Sequence, residues 1–219
     1  MALYHGRNDS MGGTSVPQWL TWAREIQSLC QTGLAYSQND YETLRYRRLM
    51  EIAVEMVCTH TGLPQKTLMK SFMAQPGYAT VKVDVRGAVI RDGKILLVQE
   101  RSDRRWCMPG GWADVGEFPS AMVTREVLEE SGFEVLPKRI IGVYDANRTG
   151  GPLEFYHAYK LVFLCDIIGG RARPSDETQA VDFFPFDDLP PLSTNRTDER
   201  HLTEVFAHIL DTKRVAAFD

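Results

Sequence analysis

The chain predicts a mixed fold of the α+β or α/β kind: a small all-helical domain, then a mixed β-sheet held between helices. Three observations predict it. Between residues 17 and 72 apolar residues recur at helical spacing and no strand pattern intervenes. From Val81 the period switches to two, and strand patterns interleave with helical ones without a strict repeat. A Pro76-Gly77 breaker sits where the pattern changes. The division implied is residues 1–15 as a flexible extension, 16–76 as a helical domain and 77–219 as the sheet domain.

Each element has its own signal. In residues 17–36, Trp19, Leu20, Ala23, Ile26, Leu29 and Cys30 mark an amphipathic helix. Asn39 and Asp40 suit an N-cap for a second helix from Tyr41 to about His60, with Gly62 at its end. Its expected buried side is Leu49, Ile52, Ala53, Met56 and Val57. Lys66 to Phe72 is a short third helix. Val81, Val83 and Val85 then alternate, and the strand runs on to Ile90. Asp92-Gly93 is a strong hairpin turn leading into a strand from Lys94 to Gln99. Pro119 and Ser120 start a helix that Gly132 ends. Arg139 to Tyr144 and Phe155 to Asp166 are strands, the second apolar enough to be buried on both faces, and Gly169-Gly170 turns the chain. Val181 to Phe184 is a short strand, and Asp198 to Thr212 a C-terminal helix.

Composition excludes several classes. The net charge of -4 is mild and does not suggest an electrostatic grip on nucleic acid. The four cysteines, Cys30, Cys58, Cys107 and Cys165, form no CxxC pair, so neither a zinc site nor a disulfide framework is supported. Cys30, Cys58 and Cys165 read as buried thiols, and Cys107, beside a glycine-rich loop, as an exposed candidate. No apolar run is long enough to span a bilayer and no secretory signal is visible, so the expected location is cytoplasmic. Arg45, Arg47 and Arg48 make a small basic patch, with Glu42 and Glu51 nearby. A packing or dimerising helical module is favoured over an RNA-binding one.

The stretch from Gly111 to Phe133, GWADVGEFPSAMVTREVLEESGF, carries the chemistry. On its helix Glu126, Glu129 and Glu130 stand three and four residues apart, so all three carboxylates fall within one turn on nearly one face. Like charges that close repel, and a hard divalent cation turns the repulsion into binding. Mg2+ or Mn2+ suits such oxygen ligands. Val123 and Val127 form the opposite, core-facing stripe. Pro109-Gly110-Gly111 is a tight turn whose backbone can approach a metal or phosphate closely.

Gly111, Glu117, Arg125, Glu126, Glu129, Glu130 and Gly132, with Val127 and Phe133 at the apolar positions, resemble the Nudix box. The resemblance implies a Nudix α/β/α sandwich and a hydrolase of a nucleoside diphosphate linked to another group, X. It implies Glu126 and Glu130 as principal metal ligands, Glu129 as an added ligand or base, and the Gly110 carbonyl in the metal shell. Arg125 resembles the arginine that pairs with Glu117 and holds loop against helix. Family members recruit a further acid from the loop before a late strand, and Glu177 matches it here. Residues 19–56, 157–165, 177–193 and 195–197 resemble a branch of hydrolases of X-linked nucleoside diphosphates that includes CDP-choline pyrophosphatases. A CDP-choline-like substrate leads, with ADP-ribose or a nucleotide sugar as the alternative; RNA-end processing and a nucleotide-sensing regulator come second. ADP-ribose pyrophosphatases carry a proline beyond the box, where this chain has Arg148 and Thr149. The branch also implies a homodimer.

A nucleobase needs an aromatic or apolar slot with a few polar contacts. Trp106 and Arg105, entering the box loop, are the leading candidates; Tyr144, Tyr156, Tyr159 and Phe183 are further ones. Arg101, Arg104 and Arg148 are candidates for phosphate contact. His157, Lys160, Asn195 and Arg196 share the branch pattern without a derivable role.

Overall fold

The computed structural model describes residues 17–74, 77–114, 116–146 and 157–218. The expected N-terminal extension, Pro76, Arg148, Thr149, Phe155 and Tyr156 lie outside the described residues. The elements are α1 (Gln18–Tyr36), α2 (Asp40–Thr61), α3 (Gln65–Phe72), β1 (Lys82–Arg91), β2 (Lys94–Glu100), β3 (Trp106–Cys107), α4 (Pro119–Ser131), β4 (Phe133–Asp145), β5 (Ala158–Gly170), β6 (Thr178–Pro185), α5 (Glu199–Leu210) and β7 (Ala217–Phe218).

The three N-terminal helices share one core of Ala23, Cys30, Met50, Ala53, Val54, Val57, Leu68 and Phe72. Asn39 caps α2 by accepting from the Glu42 N–H at 2.9 Å, a bond worth about 1 kcal/mol. Gly62, with φ 70°, ends it in the left-handed conformation. The buried stripe of α2 is Met50, Ala53, Val54 and Val57, displaced from the expected one, and Leu49 stays exposed. The run from Leu49 to Val57 is apolar at seven of nine positions, so two stripes fit helical spacing and packing against α1 selects one. Arg48 of the basic patch is paired with Glu51 and Glu55 at 2.9 and 3.1 Å.

The sheet explains where the site sits. Its order is β3-β2-β1-β5-β4-β7, with β6 also on β2. β1 runs parallel to β5 over eight residue pairs, from Lys82↔Ala158 to Val89↔Cys165. Asp92 and Gly93, with φ 52° and 75°, make the β1–β2 turn. Beyond Ile90↔Ile95 and Arg91↔Lys94 the two strands diverge, and β3 takes that edge of β2 at Val98↔Cys107 and Gln99↔Trp106, while β6 pairs along the other edge. The edge of β1 that β2 abandons is taken by the Pro109–Ala113 segment. Gly87 N–H donates to Pro109 O at 2.8 Å, Val85 N–H to Gly111 O at 2.9 Å and Ala113 N–H to Val83 O at 2.8 Å.

Helix α4 covers one face through Met122, Val123 and Val127 on Val85, Val89 and Phe163. Helix α5 covers the other through Leu202 and Val205 on Ala88, Ile141 and Val162. The result is the expected α/β/α sandwich with a mixed sheet. β4 begins at Phe133, earlier than expected, because its pairing with β5 continues through irregular register at Pro137/Arg139 and Ile140/Gly142 that breaks the alternation. β5 extends through Gly169-Gly170; Leu161 to Cys165 are buried or half-buried on both faces as expected, whereas Tyr159, Asp166 and Ile168 are exposed. Cys30 and Cys165 are buried as expected; against expectation Cys107 is buried too and Cys58 is only half-buried. Among the described residues no helix is long and apolar enough to cross a membrane.

Candidate active site

The Pro109-Gly110-Gly111 turn is pressed onto β1 and faces the C-terminal half of α4. Gly110 has φ 144°, and a Cβ there would lie 2.0 Å from the Val85 carbonyl oxygen. Its N–H donates to Glu130 Oε2 at 2.8 Å. Gly111 faces the other carboxylate: a Cβ there would lie 3.0 Å from Glu126 Oε2. Glu126 and Glu130 thus converge on two consecutive glycines. Glu130 is 6% exposed. Burial pushes its carboxyl up to about 7, against the charge of Arg86 and the Gly110 N–H, which favour the anion. Burial also raises Glu126, opposed by Arg125.

Glu129 turns outward. Arg125 Nη1 donates to it at 2.9 Å and to Glu126 at 3.0 Å. Arg125 Nη2 reaches Glu117 at 2.8 Å and Asp114 at 3.0 Å. One guanidinium therefore holds four carboxylates, two from the loop and two from the helix. Its hydrogen bonds hold Glu117 below the usual carboxylate range. The Arg125–Glu117 pair was expected; Asp114 was missed, although it stands in the same motif.

A second arginine works from the sheet side. Arg86 is buried, with Nε 2.9 Å from Asp84 Oδ1 and Nη1 donating to Met108 O at 3.2 Å. Burial disfavours its charge, yet Asp84, Glu130 and neighbouring groups raise its pKa. Asp84 also meets Lys160 Nζ at 3.5 Å, and Lys160 donates to the carbonyls of Asn195 and Arg196. Arg196 reaches Glu100 at 3.4 Å, and Glu100 accepts from Cys107 Sγ. Burial pushes the Cys107 thiol up, so it stays protonated and inert. Alternation of Val83 and Val85 with Asp84 and Arg86 reads as a solvated face, which is why this buried network was missed.

Glu177 lies beside α4. Thr178 Oγ1 donates to the Glu130 carbonyl at 2.8 Å, and Arg101 N–H donates to the Glu177 carbonyl at 3.0 Å. Its side chain is exposed. Arg101 and Arg105 are also exposed; Arg101 Nη2 donates to Ser175 O at 3.1 Å, and Arg105 Nη1 lies 3.5 Å from Leu192 O.

Two aromatic candidates need correction. Trp106 packs edge-on to Phe184, with centroids 4.7 Å apart, and joins the core beneath α5. Tyr144 is 4% exposed in the same core, edge-on to His201, with Arg200 over its ring. Alternation along a strand does not say which face is covered, and both rings took the α5 side. Trp112, which was passed over, is an exposed ring inside the box at 49%, directly after the glycine turn; Phe118, at 78%, precedes α4.

The residues can be tested for a divalent cation. The Glu126 and Glu130 carboxylates and the Gly110 carbonyl are hard oxygen donors, and both carboxylates approach the glycine turn that carries this carbonyl. Among the described residues no three His, Cys, Asp or Glu side chains converge on one point. Arg125 draws Glu129 out of the cluster. Mg2+ commonly takes one or two carboxylates and completes its shell with water and substrate phosphates, so the donor set present fits it.

Comparison with known proteins agrees with this geometry. Residues 81–206 match the family described as the NUDIX domain, and residues 17–72 the one described as UDP-X-like, N-terminal oligomerisation domain. YjhB of Bacillus subtilis (strain 168), provisionally named an ADP-ribose pyrophosphatase, is 36% identical over 202 residues, covering 92% of this chain and 97% of that protein. A crystal structure of an ADP-ribose pyrophosphatase from Streptococcus suis 89-1591 superposes with TM-score 0.57 at 35% identity, covering 64% of this chain and 100% of that one. A crystal structure of UDP-X diphosphatase superposes with TM-score 0.60 at 27% identity, covering 92% and 98% of the two chains.

Proposed function

Because the chain belongs to the Nudix hydrolase family, we propose that it hydrolyses the pyrophosphate bond of a nucleoside diphosphate linked to X, giving a nucleoside monophosphate and phospho-X. The observation that carries this reading is the convergence of Glu126 and Glu130 on the Gly110-Gly111 turn. Glu126, Glu130 and the Gly110 carbonyl would hold Mg2+ or Mn2+. A bound cation supplies neutralisation of the diphosphate oxygens and a more acidic water. Glu129 and Glu177 are the candidates to orient that water and take its proton. Arg125 and Glu117 hold the loop on the helix. Arg101 and Arg105, exposed cations beside the Glu177 and Leu192 loops, would meet the anionic substrate.

The similar proteins support ADP-ribose or a UDP-linked compound as substrate more than CDP-choline. Full-length similarity outweighs the missing proline beyond the box. The family description of residues 17–72 supports a homodimer formed through the helical domain. Exposed Trp22, Leu29, Tyr36, Tyr41 and Leu44 on α1 and α2 give it an apolar surface.

The test is incubation with Mg2+ or Mn2+ and a panel of ADP-ribose, UDP-glucose, CDP-choline and a short RNA, with Glu126→Gln as control. Release of a nucleoside monophosphate from one small compound, lost in the control, establishes the reaction and its substrate. No turnover of any of the three small compounds refutes it.

A further inference from the structure

The segment Pro109–Ala113 lies as an edge strand on β1, and in a strand successive side chains face opposite ways. Gly111 faces Glu126. Trp112 therefore faces away from α4. Its bridge to Asp84 places it on the Asp84 side of the sheet, and Lys160, the register partner of Asp84 on β5, shares that side. Asp84 and Lys160 are buried, at 6% and 1% exposure, and engaged with Arg86 and with the carbonyls of the Asn195–Arg196 turn. Beside this satisfied polar floor stands an indole that is half accessible. Trp106 and Tyr144 on the same face are each covered by a neighbouring ring. No ring contact covers Trp112 among the described residues.

We infer that Trp112 is the platform on which the nucleobase of the substrate stacks. The inference rests on the pyrophosphohydrolase reading above. Gly110 and Gly111 immediately precede Trp112 on this edge segment, so a substrate whose diphosphate they hold can turn its nucleoside round the edge towards the indole. Every base presents a π face, so such a platform tolerates different bases and leaves discrimination to polar groups around it. An otherwise costly exposed indole then gains its burial when substrate binds.

The test is isothermal titration of the full chain, with Mg2+, against AMP, UMP and the base-free ribose 5-phosphate. Trp112→Ala should weaken nucleoside monophosphate binding by about 5- to 100-fold and leave ribose 5-phosphate within about twofold, and Trp112→Phe should restore most of the loss. On whichever diphosphate is hydrolysed, Trp112→Ala should raise KM and leave kcat nearly unchanged. Equal weakening of ribose 5-phosphate would overturn the inference, because the ring would then only be supporting the turn. Unchanged monophosphate affinity would overturn it too, and if a diphosphate is still turned over, the hydrolase reading survives alone. Absence of turnover of any diphosphate by the unaltered chain removes that reading, and this inference with it.

Discussion

Two neighbouring glycines should fail in different ways when given the same methyl group. In Gly110→Ala the new Cβ would sit 2.0 Å from the Val85 carbonyl oxygen and 2.9 Å from Arg86 Cα, both backbone, with φ at 144°. The turn must move. Strain of about 1–3 kcal/mol is relieved only by giving up bonds. Those at risk are Gly87 N–H to Pro109, Val85 N–H to Gly111 and Gly110 N–H to Glu130, each worth about 1 kcal/mol. Giving up all three costs about 3 kcal/mol, a fall in Tm of roughly 6–12 °C for a chain of this size. In Gly111→Ala the Cβ meets only the tip of the Glu126 side chain, at 3.0–3.4 Å, and a flexible carboxylate can yield. Its Tm should stay within about 3 °C, while kcat/KM falls roughly 10- to 100-fold because Glu126 is displaced. Thermal unfolding by circular dichroism and initial rates on the same preparations read both quantities. A Gly110→Ala protein as stable as the unaltered chain, or two variants with the same profile, would refute the reasoning.

Other perturbations follow from the same geometry. Arg125→Gln leaves Asp114, Glu117, Glu126 and Glu129 to repel one another, so it should cost about 1–2 kcal/mol in EDTA and recover much of that in Mg2+; thermal shift in the two buffers checks it, and no recovery would count against ion binding by these acids. Asp198 is pulled towards a raised pKa by burial, but hydrogen bonds and charge from His201 outweigh this and hold it at about 2. Its contribution, ~2 kcal/mol, should be full above pH ~4 and fade as pH falls towards 2. Urea unfolding of Asp198→Asn against the unaltered chain should therefore show a gap at pH 6 that closes in acid; a gap constant with pH would contradict it. Trp22→Glu combined with Leu29→Glu changes two exposed positions, at 52% and 63%, and should leave helix content intact while halving the mass in analytical ultracentrifugation; an unchanged mass would argue against assembly through α1.

The box helix was legible because its signals reinforce one another. Pro119 and Gly132 bracket it, Val123 and Val127 mark its buried stripe, and Asp92-Gly93 fixes the preceding hairpin. What the sequence withheld was direction. Three carboxylates on one helix face were readable, but not that Arg125 would draw Glu129 outward while Glu126 and Glu130 turn to the glycines. Trp106 and Tyr144 sit at strand positions where period two permits either face, and only the tertiary placement of α5 decided it. Asp84, Arg86 and Lys160 are charged residues on strands, and their burial depends on the Asn195–Arg196 turn, remote in sequence.

The parting of β1 from β2 has an evolutionary reading. Backbone pairing between the two strands is confined to two residue pairs beside the hairpin. On one leaf, β1 and the strands beyond it anchor the glycine turn and α4, the parts whose spacing the chemistry cannot alter. On the other, β2, β6 and β3 present Arg101, Arg105 and Glu177, which touch the first leaf's helix at the Thr178–Glu130 bond. Loops on the second leaf can lengthen, shorten or exchange side chains without disturbing the register of β1 on β5. Such a molecule can acquire a new leaving group X by remodelling the second leaf around Glu177 while Glu126 and Glu130 keep their places on the first.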